Sequence, residues 1–146
     1  MNCMNNNKHK GKIVIPAGKK IWPHELRVAE ILAMAGYDVE FLEEINLYRG
    51  DILLNGVEYE IKSPITSKSN SLEHVLKRAL KQSSNIIIDT SRMKKSRDDN
   101  TRKFLINQIR FRKQIKHLLM ITKKGQIVDI TARKILTKNE TSFLVK

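Results

Sequence analysis

Asp51 and the triplet Glu60-Ile61-Lys62 carry the residue types of metal-assisted hydrolysis. Two carboxylates can hold a hard divalent cation through oxygen, and a nearby lysine can contact a phosphate or a metal-activated water. Whether they meet depends on the chain between them. Asn55-Gly56 separates two apolar runs, the strongest short-range signal for a two-residue type I′ hairpin. That turn sets 54 opposite 57, 53 opposite 58, 52 opposite 59 and 51 opposite 60. Asp51 and Glu60 then become cross-strand neighbours, and the period of 2 puts Lys62 on their face. Ile52, Leu54, Val57, Tyr59 and Ile61 form the opposite, core face. Facing carboxylates destabilise a sheet, so a cation between them is the usual reason to keep them. The expected ion is Mg²⁺ (or Mn²⁺), with Asp51 and Glu60 as ligands. Glu58 shares the charged face and reads as an ordinary solvated side chain.

Asp51, a gap of eight residues and Glu60-x-Lys62 reproduce the arrangement of the PD-(D/E)xK nucleases. Such a bare match also occurs in hairpins with a merely charged face, so the surrounding elements have to be weighed.

Pro23 fits a helix start, where its missing N–H costs nothing. The helix runs to about Ala35 and stops at Gly36. At 100° per residue, Trp22, Leu26, Ala29, Leu32 and Ala33 share one face, and Glu25 falls inside that arc. Glu25 has two readings of about equal weight: it stabilises the helix dipole from the first turn, or it is a third acid aimed at the sheet. His24 beside it could touch phosphate, although surface decoration is the plainer reading.

A strand over 38–42 precedes the hairpin. Leu72, Val75, Leu76, Ala79 and Leu80 then give the stripe of an amphipathic helix. His74, Lys77, Arg78 and Lys81 form its cationic face, and Gln82 sits at the margin of the apolar stripe. Gln82 is either a helix-end polar contact or a group that reaches the scissile phosphate. Ile86-Ile87-Ile88 reads as a strand buried on both faces. Residues 93–100 read as a charged loop, and 101–114 as a basic helix with Arg102, Lys103, Arg110, Arg112 and Lys113. Strands follow over 117–122 and 127–131, and the tail adds a further short helix or strand. The expected class is α/β, a central mixed β-sheet flanked by helices.

The chain has 146 residues, which suits one domain over 13–146 after an Asn- and Lys-rich tail, 1–12, expected to be disordered and basic. The lone cysteine, Cys3, excludes a disulfide framework and a cysteine zinc site. No apolar run approaches the ~20 residues that span a bilayer, so no membrane partner is expected. Against 15 acidic residues stand 28 Lys and Arg, a net charge of +13 that attracts polyanions, nucleic acid first among them. Aromatic residues make up only 5%, which argues against a single-strand binder built on stacking platforms.

Several blocks in order extend the likeness beyond one motif. Pro23-His24-Glu25, Gly36 through Leu42, Glu60-Ile61-Lys62-Ser63-Pro64 and Lys81 through Asp89, followed by Ser91-Arg92, resemble the C-terminal tRNase domain of CdiA-type contact-dependent growth-inhibition toxins. The resemblance covers roughly 20–131. It implies a metal-dependent RNase with a PD-(D/E)xK nuclease-like core, acting on tRNA in the cytoplasm of a cell into which it is delivered. It also implies an immunity protein, which the charge balance makes acidic. It raises Glu25 and Gln82 to catalytic candidates beside Asp51, Glu60 and Lys62. His24, Lys77, Arg78, Lys81, Arg110 and Arg112 are the candidates for holding nucleic acid. A DNA endonuclease of the same fold is the alternative within chemistry, and a non-catalytic nucleic-acid-binding protein the alternative outside it.

Overall fold

The computed structural model describes residues 9–44 and 49–137. Among them lie strand β1 (Ile13–Val14), helix α1 (Pro23–Met34), β2 (Val39–Phe41), β3 (Ile52–Leu54) and β4 (Val57–Lys62). These are followed by α2 (Ser69–Leu80), β5 (Asn85–Asp89), α3 (Asp98–Phe111), β6 (His117–Ile121), β7 (Ile127–Asp129) and β8 (Lys134–Ile135). The strands form one mixed sheet in the order β1 to β8. Strands β2, β3 and β4 run as an antiparallel meander, while β4, β5 and β6 are mutually parallel. Parallel neighbours need crossovers, and α2 and α3 supply them. The class is therefore α/β with a mixed sheet, as the periodicities predict.

Two apolar layers sandwich the sheet. On one face, Val28, Ala29 and Leu32 of α1 pack with Tyr59, Ile61, Ile87, Leu119 and Ile127. On the other, Leu76 and Ala79 of α2 and Leu105 of α3 pack with Ile86, Ile88, Leu118, Met120 and Val128. Consecutive isoleucines at 86, 87 and 88 go to alternate layers, which is why that strand is apolar throughout.

The hairpin forms as its sequence dictates. Asn55 and Gly56 take φ of 48° and 83°, the left-handed pair a type I′ turn needs. Ile52, Leu53 and Leu54 pair with Tyr59, Glu58 and Val57, the expected register. At position 51 the ladder changes. The Asp51 N–H donates to the Tyr59 carbonyl at 2.9 Å, although Tyr59 is already paired with Ile52. Two residues thus oppose one, a β-bulge that re-aims Asp51.

Several expected boundaries move. Helix α3 starts at Asp98, inside the stretch expected to be loop, because Asp98 and Asp99 complement the positive N-terminal end of the helix dipole. It ends at Phe111, so Arg112 caps the helix and Lys113 lies beyond it. Trp22 does not share the core face of α1. It is the extended residue before the helix, with φ −70° and ψ 148°, where helical periodicity does not apply, and it is 67% exposed. Within the segment expected to be a tail, the Gly11 N–H donates to the Ala33 carbonyl and the Lys12 N–H to Asp38. Cys3 and the last nine residues lie outside the described residues.

Candidate active site

Glu60 sits in the middle of β4, where alternation turns it away from Tyr59 and Ile61 and toward the face covered by α2. Its strand partner on that face is Ile86, and the partner of Lys62 is Ile88. Both isoleucines belong to the α2 layer. Glu60 is only 6% exposed. A carboxylate buried to that degree is costly unless it is paired. Its partner is Lys62, whose Nζ lies 3.2 Å from Glu60 Oε2 and whose side chain is 30% exposed.

Asp51 completes the cluster from the neighbouring strand. Its Oδ2 accepts the Ile61 backbone N–H at 2.8 Å, tying it directly to the strand of Glu60. The consequence is electrostatic. Burial, the Asp51 charge and a hydrogen bond between the two carboxyl groups raise the pKa of Glu60 to about 7, while Lys62 pulls against the rise. Glu60 therefore holds its proton more tightly than an ordinary carboxylic acid, at a place that a divalent cation could take instead. Among the described residues no group of three or more His, Cys, Asp and Glu side chains is arranged to hold a metal ion. Two carboxylates still fit Mg²⁺, which keeps several waters and often takes one or two carboxylates plus substrate phosphate oxygens.

The remaining candidates are placed differently. Glu25 lies on α1, which packs against the sheet face opposite the one carrying Glu60 and Lys62. Its Oε1 accepts the Trp22 N–H at 3.2 Å, so it caps its own helix. The arc around α1 identifies residues that share a helix face, but not which sheet face the helix covers. Gln82 follows the C-terminal end of α2 and is partly exposed. The next residue, Ser83, donates to the Glu58 carbonyl, which puts this turn beside the start of β4.

His74, Lys77, Arg78 and Lys81 are all exposed, so the cationic face of α2 is real. The opposite, apolar stripe of α2 covers the sheet face that carries Glu60 and Lys62. Arg110 is exposed near the end of α3, whereas Arg112 is half-buried and donates its Nε–H to Gln108 at 2.9 Å. His24 is half-buried and stacks on Trp22.

Two supports escape a reading of charge alone. Glu58 is not simply solvated: its Oε2 accepts the N–H of Gly50, next to Asp51. A side chain at Gly50 would stand 2.6 Å from the Tyr59 carbonyl oxygen, so this close approach needs glycine. Asp89, fully buried at the end of β5, accepts from Ser63, Ser91 and Arg27. Ser63 follows Lys62, so Asp89 fixes the end of the strand that carries the lysine. An aspartate closing an apolar strand, with serine two residues on, was the available signal.

Residues 49–127 match the family described as the contact-dependent growth inhibition CdiA C-terminal domain, a stretch of more than half the chain that contains Asp51, Glu60, Lys62 and Gln82. The fold is similar to a chain of a CdiA-CT/CdiI toxin and immunity complex from Burkholderia pseudomallei, with a TM-score of 0.62 and 21% identity. That alignment covers 82% of this chain and 98% of the other. No curated protein matches the sequence.

Proposed function

The chain belongs to the CdiA C-terminal domain family of contact-dependent growth inhibition, and from that premise we propose that it is a metal-dependent ribonuclease toxin domain of the PD-(D/E)xK type, cleaving tRNA. The observation that carries the reading is the convergence of Asp51, Glu60 and Lys62 around one buried acid whose pKa lies near neutrality. A structural ion pair needs no second carboxylate beside it, whereas a cation-binding dyad does.

Asp51 and Glu60 would hold Mg²⁺ or Mn²⁺, which when bound lowers the pKa of a water and neutralises charge developing on the phosphate. Asp51 is held in place by the Ile61 N–H, so one of its oxygens is oriented before substrate arrives. Lys62 is exposed enough to turn from Glu60 toward a non-bridging phosphate oxygen and donate to it. The exposed cations of α2, the helix packed on the same sheet face, suit sequence-independent phosphate contact. Gln82 acts, in this reading, at the margin of the site, while Glu25 caps α1 on the other face of the sheet.

A nuclease of this kind needs restraint in the cell that makes it. The similar fold from Burkholderia pseudomallei comes from a complex of toxin and immunity protein. We infer an acidic immunity partner for this chain, seated over Lys62, His74, Lys77 and Arg78, where it blocks the substrate path and complements the charge. The site of action is the cytoplasm of a target cell.

The test pairs cleavage with growth. Purified protein with Mg²⁺ should cut total tRNA, and Glu60→Ala should not. Expression of the wild-type chain alone should arrest growth, and Glu60→Ala should relieve it. Cleavage of duplex DNA in place of RNA would assign the alternative substrate. Equal growth with no cleavage of either would leave a binding module.

A further inference from the structure

We propose that the cleft beside Trp22 is a nucleobase-binding site, in which an unpaired base of the RNA substrate stacks on the Trp22 indole. The proposal rests on the nuclease reading for its substrate class, and on separate residues for its geometry.

Trp22 is 67% exposed, although an indole gains most from burial. It is already half of a stack. The His24 ring lies 6.5 Å away, centroid to centroid, with 16° between the planes. One indole face is thus supported by His24, and a planar ligand on the other face would extend the pile. The indole borders a cleft of about 710 Å³ whose wall also includes Lys19, Lys20, Glu43 and Glu44. That volume lies in the range of small-molecule sites.

The lining chemistry selects a base rather than a bare phosphate. Glu43 and Glu44 would repel an anion placed among them. A carboxylate does accept hydrogen bonds from an exocyclic amino group, as it does from the amino group of cytosine. Lys20 is exposed and can take the adjoining phosphate, while Lys19 already lies 3.8 Å from Glu44. A protein partner could also use an exposed tryptophan, but a ring stacked in parallel on a second ring suits a flat ligand better.

The cleft lies on the α1 side of the sheet and reaches the strand ends beside Asp51. The Leu42 N–H donates to the Asp51 carbonyl at 2.9 Å, and Glu43 is the next residue. The acidic wall of the cleft therefore starts one residue from the backbone partner of Asp51. A base seated on Trp22 would belong to a strand that passes the end of β3 at Asp51, so this contact would help to choose where the strand is cut.

Trp22 is the only tryptophan, so tryptophan emission, excited where tyrosine does not absorb, reports this site alone. The experiment titrates a cytidine hexaribonucleotide into the full chain in EDTA, where no turnover is needed. Saturable quenching is expected, with none from inorganic polyphosphate at matched charge. A fluorescein-labelled hexamer followed by anisotropy should bind Trp22→Ala roughly 5- to 100-fold more weakly. Trp22→Phe, which keeps a platform, should stay within a few-fold of wild type. Glu60→Gln should keep the quenching while losing cleavage, so quenching without any cleavage would leave the cleft standing and overturn only the nuclease reading. Robust cleavage together with unchanged emission and equal affinity of Trp22→Ala would overturn the cleft and mark Trp22 as a protein contact.

Discussion

The carboxylate of Asp51 is bonded to the backbone N–H of Ile61, at 2.8 Å, and not to the lysine that shares its face. Lys62 is paired with Glu60 instead. The two acids are thus held by different means, one by a peptide dipole and one by an ammonium group. Only the second is a full charge that a cation must displace.

Metal binding should be visible without any substrate. Mg²⁺ or Mn²⁺ stabilises whatever state binds it, so millimolar ion should raise the Tm of the wild-type chain by several degrees. Asp51→Asn and Glu60→Gln should each abolish that increment, and EDTA should reverse it. A Tm that rises equally in both variants would place the ion elsewhere.

The metal-free chain should lose stability as pH rises. Glu60 has a folded-state pKa raised to about 7, against an ordinary value of 4.5, so the folded chain holds the proton more tightly than the unfolded chain. Its contribution is fully present below about 4.5 and is lost as pH rises through about 7. Thermal melts in EDTA across that window should show Tm falling by several degrees more in the wild type than in Glu60→Gln, which carries no titrating proton. Parallel curves for the two proteins would contradict the assignment.

Glu58 should act through Asp51. Its carboxylate accepts the Gly50 N–H, so Glu58→Ala frees the residue beside the bulge. Supporting contacts of this kind typically change activity by 10- to 100-fold, so kcat should drop by about 10-fold with KM nearly unchanged. Glu58→Gln keeps an acceptor oxygen and should recover most of the loss. An equal fall in kcat for both variants would point to a need for the charge itself.

Substrate affinity should fall steeply with salt. Replacing Lys77 of α2 and Lys81, its C-cap, together, both exposed, should weaken binding across all sequences. The log–log salt dependence should become shallower by up to about two units. An unaltered slope would move the phosphate path away from α2.

Much of this site was legible in the sequence because its key pairing is local. Asn55 and Gly56 tolerate positive φ, so the turn was fixed by residue type and the register followed by counting. What could not be read was set by distant partners. The bulge depends on the Tyr59 carbonyl taking a second donor, and no residue type announces that. Glu25 was placed on the correct arc of its helix, but the choice of sheet face came from the packing of Val28 and Leu32. Trp22 looked like core by periodicity and is surface, because the helix begins one residue later.

Strand β4 has an antiparallel neighbour on one side and a parallel neighbour on the other. The antiparallel side closes through a two-residue turn, at little entropic cost and within microseconds for an isolated hairpin. The parallel side must wait for the α2 crossover, a longer loop to close. Both acids belong to the quick side. A chain emerging unfolded would bring Asp51 and Glu60 together early, in water, where their repulsion is screened. Only the later docking of α2 would dry Glu60 and raise its proton affinity, so the site would acquire its chemistry last, with the arrival of the helix that also carries the exposed cations.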